Sequence, residues 1–205
     1  MQQHTMPLFP LSTVVFPDGY LPLQIFEVRY LDLIKKCLRD KTPFGVVSIL
    51  EGAEVRNPAE KMALAHIGTL VEITHADAPS PALLKIQTRG TQRFKLLDSH
   101  QEKNGLWMGE IEHIPNDTVV DIPDDLSAAA NGLAEVIKNL EGQQVPLEQM
   151  PIQRPYRLDE CGWVANRWCE LLPLDKKSKL QMLELESPLL RLELVNDLLQ
   201  TNRFL

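Results

Sequence analysis

The opening stretch, residues 6–30, constrains the fold more than any other part of the sequence. The β-branched and aromatic residues at 14–16 are typical of a strand, whereas Pro7 and Pro10 cannot donate backbone hydrogen bonds. We therefore expect the first strand to lie at the edge of a sheet. Residues 16–19, Phe-Pro-Asp-Gly, place proline second and glycine fourth, which favours a type I turn that reverses the chain.

The second half of this stretch changes its hydrophobic period. Leu21, Leu23 and Ile25 alternate with other residues, which predicts a strand with one face toward a core. From Glu27 onward the apolar residues recur at helical spacing, and an acidic residue suits the positive end of a helix dipole. The stretch therefore predicts a strand, a turn, a second strand and a helix in close succession.

The chain up to residue 114 continues as short strands separated by polar turns. The strand predicted at 44–50 has apolar residues on both faces and is expected in the centre of the sheet, whereas 51–65 is expected to be an exposed loop. Further strands are predicted at 67–74, 83–88, 93–97 and 106–114, with a turn or longer loop at 75–82 and a polar connection at 98–105. Six or more short strands with one early helix favour a small closed or nearly closed barrel.

Strand alternation ends near residue 114, and helical patterns follow. Helices are predicted to begin near Asp124, in the stretch 159–172, and after the capping residues Asp175 and Ser187. These patterns divide the chain into a β-rich part, residues 1–114, and a helical bundle, residues 115–205. The predicted fold class is therefore α+β.

The composition is that of an ordinary globular chain, with 44% hydrophobic and 24% charged residues. Its formal net charge of -7 repels polyanions, which disfavours a nucleic-acid partner unless a local basic patch overcomes the repulsion. No apolar run is long enough to cross a bilayer, and the first residues lack a signal-peptide pattern, so we expect no membrane association and a cytoplasmic protein. The three cysteines form no CxxC pair and are expected to be reduced thiols.

The sequence lacks the common patterns for catalysis and cofactor binding. It has no GxxxxGK[ST] phosphate loop, no GxGxxG after a strand, no HExxH motif and no GxSxG elbow. The five histidines are scattered, with no spacing typical of a metal site. The sequence therefore predicts no enzyme, no cofactor and no metal.

Two other features of the sequence suit a binding partner. Arg89, Arg93 and Lys95 lie around Phe94, an arrangement that single-stranded nucleic acid could use. A strand would instead place Phe94 in the core beneath a solvated row of charges. The second feature is a set of large side chains that could border a groove for an extended or unfolded peptide. The candidate binding residues are Tyr20, Phe26, Arg29, Tyr30, Trp163 and Trp168.

Five segments, spread over nearly the whole chain, carry a family resemblance. They are MPLFPLSTVVFPDGYLPLQIFEVRY from Met6, FGVV from Phe44, IGTLVEI from Ile67, IQTRGTQRFKL from Ile86 and WVANRWCELLPLDKKSKLQMLELESPLLRLELV from Trp163. At these segments the sequence resembles the amino-terminal substrate-recognition domain of the ATP-dependent Lon proteases, in its freestanding form. The resemblance implies a PUA-like pseudo-barrel with a helical subdomain and a role in recognising protein substrates. Full-length Lon continues into an AAA+ ATPase and a Ser-Lys peptidase domain, and this sequence contains neither, so the resemblance does not imply proteolysis.

The leading hypothesis is a non-enzymatic module that binds unfolded or specific proteins, as an adaptor for a separate protease or chaperone. Phe26, Glu27, Arg29 and Tyr30 are then expected to form a packed, ion-paired junction first and a contact surface second. Two alternatives stay open. One is a PUA-like RNA-binding module, which requires a contiguous positive patch around the basic strand, and the other is a small hydrolase with an unrecognised site. The sequence does not predict an oligomeric state.

Overall fold

The computed structural model describes residues 4–52, 62–143, 145–146 and 149–202. The chain divides into two compact units, Met1–Pro115 and Asn116–Leu205. Most of the loop predicted at 51–65 lies outside the described residues, since these end at Gly52 and resume at Met62.

The first unit is a sheet closed on itself, with one helix. Its elements are β1 His4–Leu11, β2 Tyr20–Ile25, α1 Val28–Asp40, β3 Phe44–Glu51, β4 Ala63–Ser80, β5 Leu83–Gln101 and β6 Trp107–His113. The strand order is β2-β5-β4-β3-β1-β6, and an additional pairing between β5 and β6 closes the sheet. The strands β1 and β3 are parallel, and the other neighbouring strands are antiparallel. The predicted central position of the third strand is confirmed, because β3 lies between β4 and β1.

The first strand lies inside the sheet, so the predicted edge position is wrong. It pairs with β6 from His4 to Leu8 and with β3 from Leu8 to Leu11. Pro7 therefore lies where only β6 is paired, and Pro10 lies where only β3 is paired. Because each proline has an unpaired side, its missing N–H can face that side without removing a ladder hydrogen bond. The two prolines fit a pair of staggered neighbours rather than an edge strand.

The chain reverses at residues 16–19 as predicted, but the turn fits type II rather than type I. The Gly19 N–H donates to the Phe16 carbonyl at 2.9 Å, which closes the turn. Asp18, the third residue of the turn, has a φ of 63°, and type II turns require a positive φ there. The Asp18 N–H donates to the Gly90 carbonyl at 2.8 Å, and its carboxylate is ion-paired with Arg89. These long-range contacts stabilise the left-handed backbone at Asp18.

The strands β4 and β5 form one hairpin that is longer than the sequence pattern predicts. The predicted loop at 75–82 is mostly strand, since β4 runs to Ser80 and β5 begins at Leu83. The predicted connection at 98–105 is also strand as far as Gln101. Register shifts interrupt the pairing of the two strands at several points, and such bulges bend and twist a strand. A bent β5 pairs with β2 through its first half and with β6 through its second half.

An aromatic ring, that of Phe94, packs against two glycines of the closed sheet. Phe94 is fully buried. Gly45 and Gly68 lie on neighbouring strands, and the backbone of each lies close to this ring. A β-carbon at Gly68 would lie 2.4 Å from Phe94 Cζ, and a β-carbon at Gly45 would lie 3.1 Å from the same atom. The close approach of the ring therefore excludes a side chain at Gly68, and at Gly45 the ring and Leu8 together leave no room for one.

In the described part of the second unit there are four α-helices, preceded by a short 3-10 turn at Asp124–Leu126. The helices are α2 Ser127–Gly142, α3 Cys161–Leu171, α4 Lys176–Glu184 and α5 Pro188–Thr201. Two predicted caps are confirmed: the Asp175 carboxylate accepts from the Ser178 N–H at 2.7 Å, and the Ser187 hydroxyl accepts from the Leu190 N–H at 3.2 Å. The predicted α+β class, with a closed sheet followed by a helical region, is confirmed.

The sequence spacing places Leu190, Leu194, Val195 and Leu198 along α5, and the helix buries only part of this set. Leu190 and Leu194 are exposed, whereas Val195 is fully buried. Arg191 is also buried, with 1% of its side chain exposed, and its guanidinium is ion-paired with Asp117. The orientation of α5 therefore satisfies a buried charge as well as apolar side chains, and leucine periodicity alone does not report that requirement.

We expect the three cysteines to resist alkylation in the folded protein. All three are free and buried. Burial raises the pKa of the Cys169 thiol to about 12, and burial is also the main cause of the raised pKa of Cys37 and of Cys161. Because the thiolate is the reacting form, iodoacetamide at pH 8 should modify the native chain slowly and the guanidinium-denatured chain at all three positions. Mass spectrometry of timed samples would measure this, and rapid modification of Cys169 in the native chain would contradict the buried assignment.

Candidate functional site

The closed sheet leaves one of its strands paired on a single side. Among the described strands, β2 is paired with β5 alone. The strand β1 is paired with β6 only as far as Leu8, so this pairing does not reach residues 9–11. Residues 9–11 of β1 and 22–25 of β2 border a common space, which we call the seam. The strands β5, β4, β3, β1 and β6 form the closed ring, and the seam lies between the end of β1 and the side of β2 that does not pair with β5.

A pocket of about 250 Å³ lies in the seam. Binding sites for drug-sized ligands measure about 300–1,000 Å³, so this pocket suits one large side chain better than a cofactor. The rings of Phe9 and Tyr30 stack in it with centroids 4.1 Å apart and an interplanar angle of 23°. The lining residues are Phe9, Pro10, Leu11, Pro22, Leu23, Gln24, Ile25, Phe26, Glu27 and Tyr30. The pocket is therefore walled mainly by apolar side chains of the core and its edge.

One residue of the pocket lining, Phe26, is an exposed apolar side chain, and a second exposed apolar residue follows two positions later in the sequence. Phe26 lines the pocket with 64% of its surface exposed, and Val28 is 72% exposed. Glu27, between them, is the N-cap of α1 and has an extended backbone. This local geometry turns Phe26 and Val28 away from the core while Ile25 is buried. Exposed apolar groups next to an apolar pocket are typical of a surface that binds another molecule.

Arg29 and Tyr30 hold the start of α1 in place. Arg29 is buried, and its Nη1 donates to the Gly105 carbonyl at 2.9 Å, while its Nη2 lies 2.7 Å from Glu27 Oε2. The guanidinium also lies 4.7 Å from the centroid of the Tyr30 ring. The geometry of these three residues is that of a packed, ion-paired junction, and it fixes the position of the pocket wall.

The other candidate residues lie outside the pocket. Tyr20 is half-buried at the start of β2 and does not line the pocket. Trp163 and Trp168 are buried, and the Trp168 indole N–H donates to the Ala129 carbonyl at 2.9 Å. In this conformation neither indole ring is accessible to a binding partner. Their size made them candidates, but size does not distinguish a core tryptophan from a contact tryptophan.

Several residues of the pocket were not among the sequence candidates. Pro10, Pro22 and Gln24 line the pocket, and none of them belongs to an apolar stripe. The prolines in the first two strands are a sequence signal for this site, because a proline in a sheet needs a side on which the strand is unpaired. Two unpaired sides that face each other form a seam, but only the strand order shows that they do.

The basic strand does not form the positive patch that RNA binding requires. Phe94 is in the core as expected, but Arg93 is buried rather than part of a solvated row. Arg89 is ion-paired with Asp18, and Lys95 lies opposite Glu112 across the β5–β6 pair. Each of these positive charges is therefore buried or next to a carboxylate, which does not favour a polyanionic partner.

Within the described residues, metal-ligand side chains are not clustered, and the pocket lining contains one carboxylate. No group of three histidine, cysteine or acidic side chains in the described part of the chain is arranged to bind a metal ion. Of the described residues that line the pocket, Glu27 is the one acidic side chain, and it is ion-paired with Arg29. A search of the same residues finds no helix with the length and hydropathy needed to cross a bilayer.

A closed sheet with an open apolar seam, joined to a helical region, defines an α+β binding module of the pseudo-barrel type. Its accessible chemistry is apolar burial and backbone hydrogen bonding. The comparison with known families agrees: residues 5–201 match the model of the ATP-dependent protease La (LON) substrate-binding domain. The chain belongs to this family, and the PUA-like pseudo-barrel with a helical region that the resemblance implied is confirmed.

Solved structures show the same fold. A Lon N-terminal domain protein from Xanthomonas campestris is 31% identical to this chain, with a TM-score of 0.72, and the match covers 94% of this chain and 96% of that one. The N-terminal domain of a Mycobacterium avium complex Lon protease is 14% identical, with a TM-score of 0.62, and covers 95% and 97% of the two chains. The second match is evidence for the fold alone.

Longer proteins contain a similar region. The Lon protease of Anaeromyxobacter dehalogenans is 27% identical over 199 residues, which are 97% of this chain and 23% of that protein. A LON peptidase N-terminal domain and RING finger protein of Schizosaccharomyces pombe is 28% identical over 106 residues, which are 47% of this chain and 22% of that protein. The chain therefore spans less than a quarter of the length of these relatives.

Proposed function

We propose that this chain is a non-catalytic recognition module that binds apolar segments of unfolded proteins at the seam. The observation that carries the proposal is the apolar pocket whose lining includes the exposed side chain of Phe26. An unfolded protein offers large apolar side chains that a folded protein hides, and such a side chain gains about 1.5–3 kcal/mol when it is fully buried. The pocket therefore distinguishes unfolded from folded chains by what each exposes.

Membership of the substrate-binding family supports protein substrates as the ligands. We further propose an adaptor role, in which the bound protein is passed to a separate protease or chaperone. The Schizosaccharomyces pombe relative supports this role, because its name places a domain of this family together with a RING finger. We place the module in the cytoplasm, where three free cysteines stay reduced.

Replacing Phe26 by alanine should weaken binding of an unfolded protein about tenfold, which corresponds to about 1.4 kcal/mol. Phe26 lines the pocket and is 64% exposed, so it is free to be covered by a ligand while contributing little to the folded core. The measurement is fluorescence anisotropy with a labelled, reduced and carboxymethylated protein that cannot refold. Circular dichroism of the variant should match that of the parent chain.

The matched control is Leu97→Ala. Leu97 is 46% exposed on β5 and lies outside the pocket lining. Its loss removes exposed apolar surface that lies outside the pocket, so affinity should change less than twofold. Equal weakening by Phe26→Ala and Leu97→Ala would argue for non-specific adsorption, and no binding by the parent chain at high micromolar concentration would refute the proposal.

A further inference from the structure

We propose that the seam binds its ligand as an added β-strand, with the backbone of an extended segment hydrogen-bonded to the free edge of β2. This inference rests on the proposed function and specifies the conformation of the bound segment. The inference requires three features of the seam. Backbone groups of β2 must point into the seam, there must be space next to these groups, and a pocket must lie where a side chain of an extended peptide can enter it.

The pairing of β2 with β5 determines which backbone groups point into the seam. The Gly90 N–H donates to the Gly19 carbonyl at 2.8 Å, and the Thr88 hydroxyl donates to the Leu21 carbonyl at 2.9 Å. Alternate residues of an antiparallel strand direct their backbone groups to the same side. The register of this pair has no shifts. The backbone N–H and C=O groups of Leu21 and Leu23 therefore point toward β5, and the backbone groups of Pro22 and Gln24 point to the opposite side. The seam edge of β2 therefore presents the carbonyls of Pro22 and Gln24 and the N–H of Gln24.

The proline in β2 agrees with this assignment. A proline that faced β5 would remove one bond of the β2–β5 ladder, whereas a proline on the free side removes none. Pro22 lies in the middle of β2, opposite Gln87, in an unbroken register. Its position is therefore independent support for an edge that points into the seam.

The space next to this edge is bordered by β1. Residues 9–11 of β1 are paired with β3 on one side, and the pairing with β6 on the other side ends at Leu8. The end of β1 and the edge of β2 line the same pocket. The pocket therefore lies in line with the edge to which a segment would bind, rather than on a remote face of the sheet.

The two kinds of contact set the chemistry of the ligand. A residue opposite Gln24 can exchange two hydrogen bonds with it, and a residue opposite Pro22 can donate one to its carbonyl. In an extended segment, side chains alternate between faces, so one large apolar side chain enters the pocket while its neighbours point away. The seam therefore selects short extended segments with a single large aliphatic or aromatic residue. Pro22 limits the edge to few bonds, which restricts continuous strand addition between copies.

Backbone N-methylation of a peptide tests this pairing without altering the protein. The probe is a labelled ten-residue peptide, acetylated and amidated, with one central phenylalanine among threonine and lysine residues. Consecutive amides of an extended peptide point to opposite sides. We expect N-methylation of the amide beside the phenylalanine that points toward β2 to reduce affinity for the full chain at least tenfold. Methylation of the adjacent amide, whose N–H points away from β2, should change affinity less than threefold. Exchange measurements by NMR should show slower hydrogen exchange at Gln24 when the peptide is bound.

The outcomes separate this inference from the proposed function. If the methylated peptides all bind equally and Phe26→Ala still weakens binding, the seam binds side chains without strand pairing and the inference is overturned alone. Slower exchange at Gln24 that depends on protein concentration without peptide would show that a second copy occupies the edge, which also overturns it. If neither peptide nor unfolded protein binds, the proposed function fails as well.

Discussion

Replacing Phe94 by alanine is expected to lower the free energy of unfolding by about 3–5 kcal/mol, the range for loss of a large aromatic side chain from a core. Phe94 is fully buried and lies against strands on which Gly45 and Gly68 leave room for its ring. Without the ring, no side chain at these glycines can move into the space. The cavity should therefore stay largely open, which places the cost toward the upper part of the range.

Denaturant unfolding followed by far-UV circular dichroism measures this change. Leu97→Ala is the matched control, because Leu97 lies on the same strand and is 46% exposed. We expect the control to shift the midpoint only slightly. If Phe94→Ala and Leu97→Ala had similar midpoints, Phe94 would not fill the interior of the barrel, and the packing of the closed sheet would have to be reassigned.

The same strand shows how far sequence reasoning reaches. Alternation correctly places Phe94 in the core, because period-two patterns report which face of a strand is buried. It also places Arg93 in solvent, which is wrong, since Arg93 is buried. Alternation assumes that one face of a strand is exposed to solvent, but at this position of β5 both neighbouring side chains are buried. The burial of Arg93 depends on its neighbours, which only the fold specifies.

The seam shows a similar limit for the functional site. Phe26 is a sequence candidate as a large apolar residue of the opening stretch, and Arg29 and Tyr30 are candidates as part of the segment that carries the family resemblance. The fold brings Phe26 and Tyr30 into the pocket lining and places Arg29 beside it. The part of the pocket lining that β1 contributes is not predictable from the sequence, because the prolines of β1 predict an edge strand with no neighbour on one side. Staggered pairing of β1 with two neighbours is a property of the strand order, and local sequence does not encode it alone.

Replacing Asp117 by alanine is expected to destabilise the protein by about 3–5 kcal/mol, the cost of leaving one member of a buried ion pair without its partner. Arg191 has 1% of its side chain exposed, and its Nη1 lies 2.5 Å from Asp117 Oδ2. The same guanidinium donates to Asn166 Oδ1 at 3.1 Å and from Nε to the Met182 carbonyl at 3.0 Å. These acceptors are neutral, so they orient the guanidinium without compensating its charge.

A double-mutant cycle with Arg191→Met separates the ion pair from the packing around it. If the charge is the source of the cost, the double variant should be less destabilised than the sum of the two single variants by about 0.5–3 kcal/mol.

The matched control is Glu141→Ala, because Glu141 forms an exposed pair with Arg154, at 2.7 Å, in the same unit. Exposed pairs contribute little, so this variant should unfold almost as the parent does. Strictly additive single effects, or equal effects of Asp117→Ala and Glu141→Ala, would show that Arg191 does not need a carboxylate. The helical region would then be held together by apolar packing, and the orientation of α5 would need another cause.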